Sequence, residues 1–277
     1  MDNRPIGFFD SGLGGLTCIP HLTKALPEEK IIYFGDTART PYGSKATSTI
    51  RNFSLQIADF LVQNDVKMIV IACNTVSATC LEDLQMRFPE IPVVGIIKPA
   101  VQRVAESCNE ENRVGIIGTK VTIRSEQYKS LILNLRNDLN IYSTPCPAFV
   151  PLIEEGIIKN EIMDMCIKYY LDDFVNKNQI DTLVLGCTHY PLIRENIEKI
   201  YPELRIIDPS EEIINSIRTI LEERDMFADN SEAENVFYAS DLSENFTNMI
   251  NTIFDSPNAK VMFKNLDIES AKALAEE

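Results

Sequence analysis

This chain contains an apolar strand that ends in cysteine, Met68-Ile69-Val70-Ile71-Ala72-Cys73-Asn74-Thr75, and repeats it as Thr182-Leu183-Val184-Leu185-Gly186-Cys187-Thr188-His189. Short apolar runs rich in β-branched residues are typical of strands buried in a parallel sheet. Each copy is followed by a predicted helix, a Pro-Glu turn and a second apolar run. The repeat therefore predicts two matched α/β units, each with one thiol at the end of an equivalent strand. Two such thiols suggest a reaction in which equivalent groups act from opposite sides.

Predicted strands and helices alternate along the rest of the chain, which favours an α/β fold with doubly wound, mainly parallel sheets. A second cycle begins after Pro99, and within it the pattern of residues 113–119 matches that of residues 4–11. We therefore predict two similar, pseudo-symmetric domains, residues 1–97 plus 210–277 and residues 98–209, with the active site in the cleft between them. Further strands are predicted at 6–10, 31–35, 93–97 and 236–239, and helices at 48–64, 100–108, 125–136, 161–176 and 242–254.

Composition limits the kind of partner this protein can have. The 277 residues carry a formal net charge of −15, which argues against nucleic acid and anionic membranes. No apolar run approaches the length needed to cross a bilayer, and the N-terminal residues lack a signal-peptide pattern, so we expect a cytoplasmic protein. Seven cysteines without a C-x-x-C pair are expected to be free thiols, and two histidines without zinc-ligand spacing predict no metal site.

Polar and reactive side chains directly follow several predicted strands. Ligands of open parallel sheets bind beyond the carboxyl ends of the strands. The residues at these ends are Asp10, Ser11, Cys73, Asn74, Thr75, Thr119, Cys187, Thr188 and His189. If the two units face each other, all of these segments line one cleft.

The two cysteines are the strongest candidates for catalysis. A single buried cysteine is usually a small apolar residue of the core, so Cys73 alone would carry little weight. The matched position of Cys187 favours a catalytic pair instead. Both cysteines precede a predicted helix, whose N-terminus can lower the pKa of a thiol. We therefore expect two thiols that exchange protons with a substrate from opposite sides.

Asp10 and His189 are candidates to assist one thiol each. Asp10 precedes a glycine-rich turn, so it can be an ordinary turn or helix-capping carboxylate, or it can orient or deprotonate a thiol. His189 stands two residues after Cys187 in a chain with two histidines. A hydrogen-bonded structural histidine is the alternative there, but the spacing favours a role beside Cys187.

Uncharged hydrogen-bond donors surround both cysteines. They are Ser11, Asn74, Thr75, Thr119 and Thr188. Each can be an ordinary cap, but together they suit a substrate that carries carboxylates. The turn Pro41-Tyr42-Gly43 can add backbone amides and a hydroxyl to the same cleft.

The turn Gly12-Leu13-Gly14-Gly15-Leu16-Thr17 also suggests a dinucleotide site, with Asp36 as the ribose ligand. However, Thr17 occupies the place of the third glycine, and Asp10 would repel a pyrophosphate. The chain has no P-loop motif and no lysine in a context typical of a pyridoxal phosphate Schiff base. We therefore expect no cofactor.

The motifs around these residues resemble the glutamate racemases of the cofactor-independent Asp/Glu racemase superfamily. The resemblance runs from about residue 6 to about residue 254. It rests on Phe9-Asp10-Ser11-Gly12-Leu13-Gly14-Gly15-Leu16, Tyr33-Phe34-Gly35-Asp36-Thr37-Ala38-Arg39-Thr40-Pro41-Tyr42-Gly43, Ile71-Ala72-Cys73-Asn74-Thr75, Pro151-Leu152-Ile153-Glu154-Glu155-Gly156 and Leu185-Gly186-Cys187-Thr188-His189-Tyr190-Pro191-Leu192.

This resemblance implies that Cys73 and Cys187 are the acid–base pair, which transfers a proton at Cα of glutamate. It also implies that Glu154 lies near Cys187 and His189. By the same resemblance, the substrate contacts are Asp10, Ser11, Tyr42, Gly43, Asn74, Thr75, Thr188 and His189, with Thr119 in support.

The family further implies two α/β domains around the active site, no cofactor, and a homodimer that supplies D-glutamate for peptidoglycan. L- and D-glutamate are then the small-molecule substrates. From the residues alone two alternatives remain open. One is a racemase for aspartate or a related amino acid, and the other is a non-catalytic protein that binds an amino acid.

Overall fold

Two parallel sheets form the framework of the protein in a computed structural model that describes residues 1–229, 234–242, 244, 247, 248, 250 and 260–266. Their strands are β1 (Ile6–Asp10), β2 (Ile31–Gly35), β3 (Met68–Ile71), β4 (Val93–Gly95), β5 (Arg113–Gly118), β6 (Asn140–Pro145), β7 (Thr182–Gly186), β8 (Arg205–Ile207), β9 (Val236–Ala239) and β10 (Lys260–Phe263). The first sheet has the order β10-β9-β2-β1-β3-β4, and the second has the order β6-β5-β7-β8.

The first four strands of each unit are arranged alike. β1 lies between β2 and β3 in the first sheet, and β5 lies between β6 and β7 in the second. Every strand pairing among the described residues is parallel. The predicted α/β class with parallel sheets is therefore confirmed. β3 and β7, which end just before the two cysteines, occupy equivalent places in their sheets.

Helices pack on both faces of the first sheet, because successive residues of a strand point to opposite sides. The α-helices of the two units, within the described residues, are α1 (Cys18–Ala25), α2 (Thr47–Gln63), α3 (Asn74–Thr79), α4 (Leu81–Arg87), α5 (Ile97–Ser107), α6 (Lys120–Arg124), α7 (Gln127–Leu135), α8 (Phe149–Glu154), α9 (Glu161–Asn178), α10 (Arg194–Ile200) and α11 (Pro209–Glu223). On β1, Phe8 faces a core formed with α1 and α11, whereas Phe9 faces a core formed with α2 and α4.

One hydrophobic core joins the two sheets. It contains Phe8 and Val70 of the first sheet together with Ile116 and Val184 of the second. Within it, α11 packs against both α1 and α5. β9 returns to the first sheet, where it pairs with β2. The domain boundaries 1–97 plus 210–277 and 98–209 stay a prediction.

Several strands differ from the sequence prediction. β6 and β10 were not predicted. β6 is an edge strand whose residues are half-buried or exposed, so it lacks the apolar run that marks a buried strand. The strand predicted at 93–97 ends at Gly95, because Ile97 already belongs to α5.

The predicted helices differ in their bounds. The helix predicted at 125–136 begins two residues later, as α7, because Glu126 has a φ of 55° in the left-handed region. The helix predicted at 242–254 lies largely outside the described residues. No helix within the described ranges combines the length and the apolar character that a bilayer span requires.

Candidate active site

A small cavity lies where the carboxyl ends of β1, β3, β5 and β7 meet between the two sheets. Its volume is about 20 Å³, which is room for about one water molecule. The lining residues are Ser11, Thr40, Pro41, Tyr42, Gly43, Cys73, Asn74, Thr75, Thr119, Val150, Cys187, Thr188 and His189. A larger groove of about 550 Å³ beside α4 and α11 contains neither Cys73 nor Cys187. The two thiols therefore share one closed site.

Most of the residues predicted for the site line this cavity. The exceptions are Asp10 and Glu154, which lie behind it. Thr40 and Val150 line it without having been predicted. Thr40 directly precedes the predicted turn Pro41-Tyr42-Gly43. Its position next to that turn is the signal by which it could have been predicted. Val150 is an apolar residue of α8, and its residue type carries no such signal.

Cys73 is buried at the end of β3, immediately before α3. Its Sγ donates to Oγ of Ser11 at 3.5 Å. Burial raises the pKa of the Cys73 thiol to about 12, and the charge of Asp10 adds to the rise, while hydrogen bonds that the thiolate can accept from the Ser11 hydroxyl and the Val76 amide oppose it. The helix N-terminus thus lowers the pKa of Cys73 as expected, but burial and the charge of Asp10 outweigh this effect. Near neutral pH, Cys73 holds its proton.

Cys187 is buried at the end of β7, but no α-helix starts next to it. Its backbone N–H donates to the carbonyl of Leu185 at 2.8 Å, and a 3-10 helix begins only at Tyr190. The helical stretch predicted after Cys187 therefore begins three residues further on, as a 3-10 helix that leads into α10. The charged neighbour of this thiol is His189 instead, whose Nδ1 lies 3.9 Å from Sγ.

His189 connects the second thiol to a carboxylate. Its Nε2 lies 3.1 Å from Oε1 of Glu154, and the ring is 2% exposed. Burial alone would lower the pKa of His189. The hydrogen bonds to Cys187 and Glu154 and the negative charge of Asp10 outweigh burial and raise the pKa to about 10. The ring is therefore an imidazolium near neutral pH, positioned to present a proton to Cys187.

Asp10 is fully buried and hydrogen-bonded to both units. Its Oδ2 accepts from the N–H of Gly12 at 3.0 Å, and its Oδ1 accepts from the Thr188 hydroxyl at 3.2 Å. Burial raises the pKa of Asp10, although the charge of His189 and the turn amides oppose the rise. These contacts are those of a turn carboxylate, which is one of the two alternatives that the sequence left open for Asp10. Asp10 reaches Cys73 through its charge rather than through a hydrogen bond.

The glycine-rich turn is shaped by close packing across the cleft. A Cβ on Gly14 would lie 2.4 Å from Oγ1 of Thr188 and 2.6 Å from Nδ1 of His189. A Cβ on Gly15 would lie 2.6 Å from Cβ of Asp10. Only glycine therefore lets this turn wrap Asp10 and touch the segment after Cys187. These contacts account for the glycines without a dinucleotide.

Hydroxyls from both units meet beside the cavity. Oγ1 of Thr75 lies 3.1 Å from Oγ1 of Thr119 and 3.3 Å from Oγ1 of Thr122, and the last two are 3.0 Å apart. Thr75 follows β3, whereas Thr119 and Thr122 follow β5. The triangle therefore joins the two halves of the site and supplies uncharged donors at its edge.

The turn that carries Tyr42 is anchored beneath the cavity by Asp36. This carboxylate is fully buried. It accepts from Nε of Arg39 at 2.8 Å, from Oγ of Ser240 at 2.7 Å and from the Tyr42 hydroxyl. The hydrogen bonds of Asp36 thus fix the position of this turn, in which Gly43 lines the cavity.

The fold and the paired thiols agree with a known class of enzyme. The family model for Asp/Glu/Hydantoin racemases matches residues 15–217 of the chain. An aspartate racemase homologue from Pyrococcus horikoshii shares the fold alone, with 16% identity and a TM-score of 0.53 over 79% of this chain and 99% of that one. The class is therefore that of the Asp/Glu/hydantoin racemases.

More similar relatives narrow this class. A glutamate racemase of Geobacter metallireducens is 42% identical over 97% of this chain and 99% of the relative. One from Persephonella marina is 48% identical over 74% of this chain and 78% of the relative. The crystal structure of the Francisella tularensis glutamate racemase in complex with D-glutamate has a TM-score of 0.89 and 39% identity over 96% of this chain and 99% of that one. The chain belongs to the glutamate racemase family.

Proposed function

We propose that this protein interconverts L- and D-glutamate by transferring a proton at Cα between two thiols, without an added cofactor. The observation that carries this proposal is the placement of Cys73 and Cys187. They follow equivalent strands of two different sheets and line the same cavity. A carbon held between two sulfurs can lose a proton to one of them and receive a proton from the other.

The protonated state of Cys73 suits its role as the proton donor in the conversion of L-glutamate to D-glutamate. In that direction the thiolate of Cys187 takes the Cα proton, so a Cα–H bond breaks and an S–H bond forms. The S–H bond of Cys73 then breaks as its proton is delivered to the opposite face of Cα. Burial keeps Cys73 protonated, as a proton donor must be. The family resemblance assigns the same faces, with Cys187 acting on L-glutamate and Cys73 on D-glutamate.

Proton transfer by positioned groups supplies only part of the rate. General acid–base catalysis typically contributes about 10²- to 10⁴-fold, and a Cα proton is far less acidic than a thiol. Most of the acceleration must come from donors that stabilise negative charge on the substrate in a site closed to water. The side chains of Ser11, Asn74, Thr75 and Thr188 line the cavity as uncharged donors suited to this task.

Binding of an anionic substrate must overcome the charge of the protein as a whole. The chain has a formal net charge of −15, which repels glutamate at long range. Among the lining residues, His189 carries the positive charge and the remaining donors are neutral. Short-range hydrogen bonds within the closed cavity therefore have to hold both substrate carboxylates.

The physiological setting is part of the same proposal. We expect D-glutamate made by this enzyme to be used for peptidoglycan, in the cytoplasm, by a homodimer. Sedimentation of the purified protein tests the homodimer, because a monomer at all concentrations would contradict it.

Polarimetry of L-glutamate with the purified protein and no added cofactor tests the activity. We expect the optical rotation to decay to zero, whereas L-aspartate under the same conditions keeps its rotation. A second measurement tests the two-base mechanism. In D₂O, each enantiomer should acquire deuterium mainly as it becomes the other. Equal deuterium uptake by unconverted substrate would indicate a single base and contradict the two-thiol mechanism.

A further inference from the structure

Tyr128 connects the two thiol-bearing turns from a position behind the cavity. It lies on α7 of the second unit and is 3% exposed. Its hydroxyl donates to Oδ1 of Asn74 at 2.6 Å. Asn74 belongs to the first unit and directly follows Cys73. The sequence offered no reason to single out Tyr128, because a tyrosine on a helix face is usually part of a core.

The ring of Tyr128 also packs against the second thiol turn. A Cβ on Gly186 would lie 3.3 Å from Cε2 of Tyr128, and Gly186 directly precedes Cys187. One side chain therefore bonds to the residue after Cys73 and lies beside the residue before Cys187.

The hydroxyl of Tyr128 is available as a donor. Burial raises its pKa well above the ordinary value for tyrosine, so the hydroxyl keeps its proton near neutral pH. Because Oδ1 of Asn74 accepts from this hydroxyl, Nδ2 lies on the other side of the amide.

Nδ2 of Asn74 is a donor without an acceptor among the described residues. The side chain is 2% exposed and lines the cavity. Buried donors are almost always hydrogen-bonded, so a missing partner calls for an explanation. A carboxylate oxygen of a substrate in this cavity would supply the acceptor.

The geometry points to Tyr128 as a positioning residue that orients the Asn74 amide towards a substrate carboxylate. This inference rests on the proposed function, because it needs glutamate as the ligand of the cavity. Tyr128 does not itself line the cavity, so it acts through Asn74. In the absence of the hydroxyl, the amide loses the contact that selects its orientation, and the substrate loses a preorganised donor.

The test is a double-mutant cycle of Tyr128→Phe and Asn74→Ala, read by calorimetric binding of D-glutamate. Tyr128→Phe keeps the ring and its packing on Gly186. We expect it to weaken binding about 3- to 10-fold, which is the usual loss for one neutral hydrogen bond. In the Asn74→Ala background, Tyr128→Phe should change the dissociation constant less than about twofold, because the residue through which it acts is gone.

The matched control is Tyr201→Phe, which removes another buried tyrosine hydroxyl, one that donates to Asp172 away from the cavity. It should leave the dissociation constant unchanged. Equal losses from Tyr128→Phe in both backgrounds, or no loss in either, would overturn the role of Tyr128 while the unmodified enzyme still racemises glutamate. Failure of the unmodified enzyme to racemise or bind glutamate would instead overturn the proposed function, and the role of Tyr128 with it.

Discussion

Nε2 of His189 lies 3.1 Å from Oε1 of Glu154, while Nδ1 of the same ring lies 3.9 Å from Sγ of Cys187. The imidazole thus connects a carboxylate on one side to a thiol on the other. Both neighbours favour the protonated ring, which is why burial does not lower its pKa. Within the described part of the chain, no comparable cation lies beside Cys73, whose neighbours are the Ser11 hydroxyl and the charge of Asp10. The two thiols therefore work in different electrostatic surroundings.

The imidazole of His189 should titrate well above its ordinary pKa. We expect its imidazole to titrate at a pKa of about 10, and Glu154→Gln to lower that pKa because the substitution removes a negative charge from Nε2. Nitrogen-15 NMR measures both values. The chain has two histidines, so His21→Gln assigns the remaining signal. Titration of His189 near the ordinary value of 6.5 in the unmodified protein would contradict the prediction.

Stability should fall as the pH becomes alkaline. The folded state raises the pKa of His189 from 6.5 to about 10, so its contribution to stability is complete below 6.5 and is lost as the pH rises towards 10. Cys73, whose pKa is raised from 9.0 to about 12, adds a second loss above about pH 9. Guanidinium unfolding across this range measures the free energy of unfolding. A value independent of pH between about 7 and about 10 is incompatible with these shifts.

Replacement of either cavity cysteine should abolish racemisation. We expect Cys73→Ala and Cys187→Ala each to lower kcat by at least about 10²-fold, because each removes one of the two proton-transfer groups. Cys166→Ala is the matched control, since this half-buried cysteine of α9 lies outside the cavity. Circular dichroism should show the native fold in all three variants. Appreciable turnover by either cavity variant would remove that thiol from the mechanism.

Gly43 should tolerate no side chain, because it lies directly against Thr119. A Cβ on Gly43 would approach Cβ of Thr119 to 2.5 Å, and this contact joins the two units at the edge of the cavity. Gly43→Ala should therefore hold the cleft partly open and reduce kcat/KM by about 10-fold or more. A loss of this size corresponds to the destabilisation of about 1–3 kcal/mol that an added methyl group typically causes in a tightly packed site. Ser44→Ala, at the exposed neighbouring residue, should retain wild-type kinetics. Wild-type kinetics in Gly43→Ala would show that the contact is unimportant.

Much of the framework could be predicted from the chain because its signals are local. The bounds of β1, β2, β7 and β9 agree with the predicted strands, since each is a short apolar run bounded by polar or turn residues. β6 was missed because an edge strand needs no continuous apolar face. α6 was missed because a left-handed residue, Glu126, separates it from α7. Neither the edge position of β6 nor the left-handed conformation of Glu126 can be recognised from the pattern of apolar residues.

The site was predictable only in part. The equivalent positions of Cys73 and Cys187 followed from the repeated pattern, and parallel strands then bring their carboxyl ends to one edge of each sheet. Val150 and Tyr128 were not predicted, because they reach the site from helices whose faces become neighbours only when the two sheets pack together. Asp10 was predicted as a catalytic and substrate-binding residue, and those roles stay a prediction; its bond to Thr188 depends on that same packing.

The α/β framework and the presence of one thiol at the end of each of two matched strands followed from the amino-acid pattern alone, because strand periodicity and strand-end residues are properties of short segments. The protonation of Cys73 and His189, in contrast, is set by the folded structure. Burial keeps the proton on Cys73, and contact with Glu154 and Cys187 keeps the charge on His189. Desolvation and Coulomb interactions depend on distances between residues that are far apart in the chain, and folding alone sets those distances.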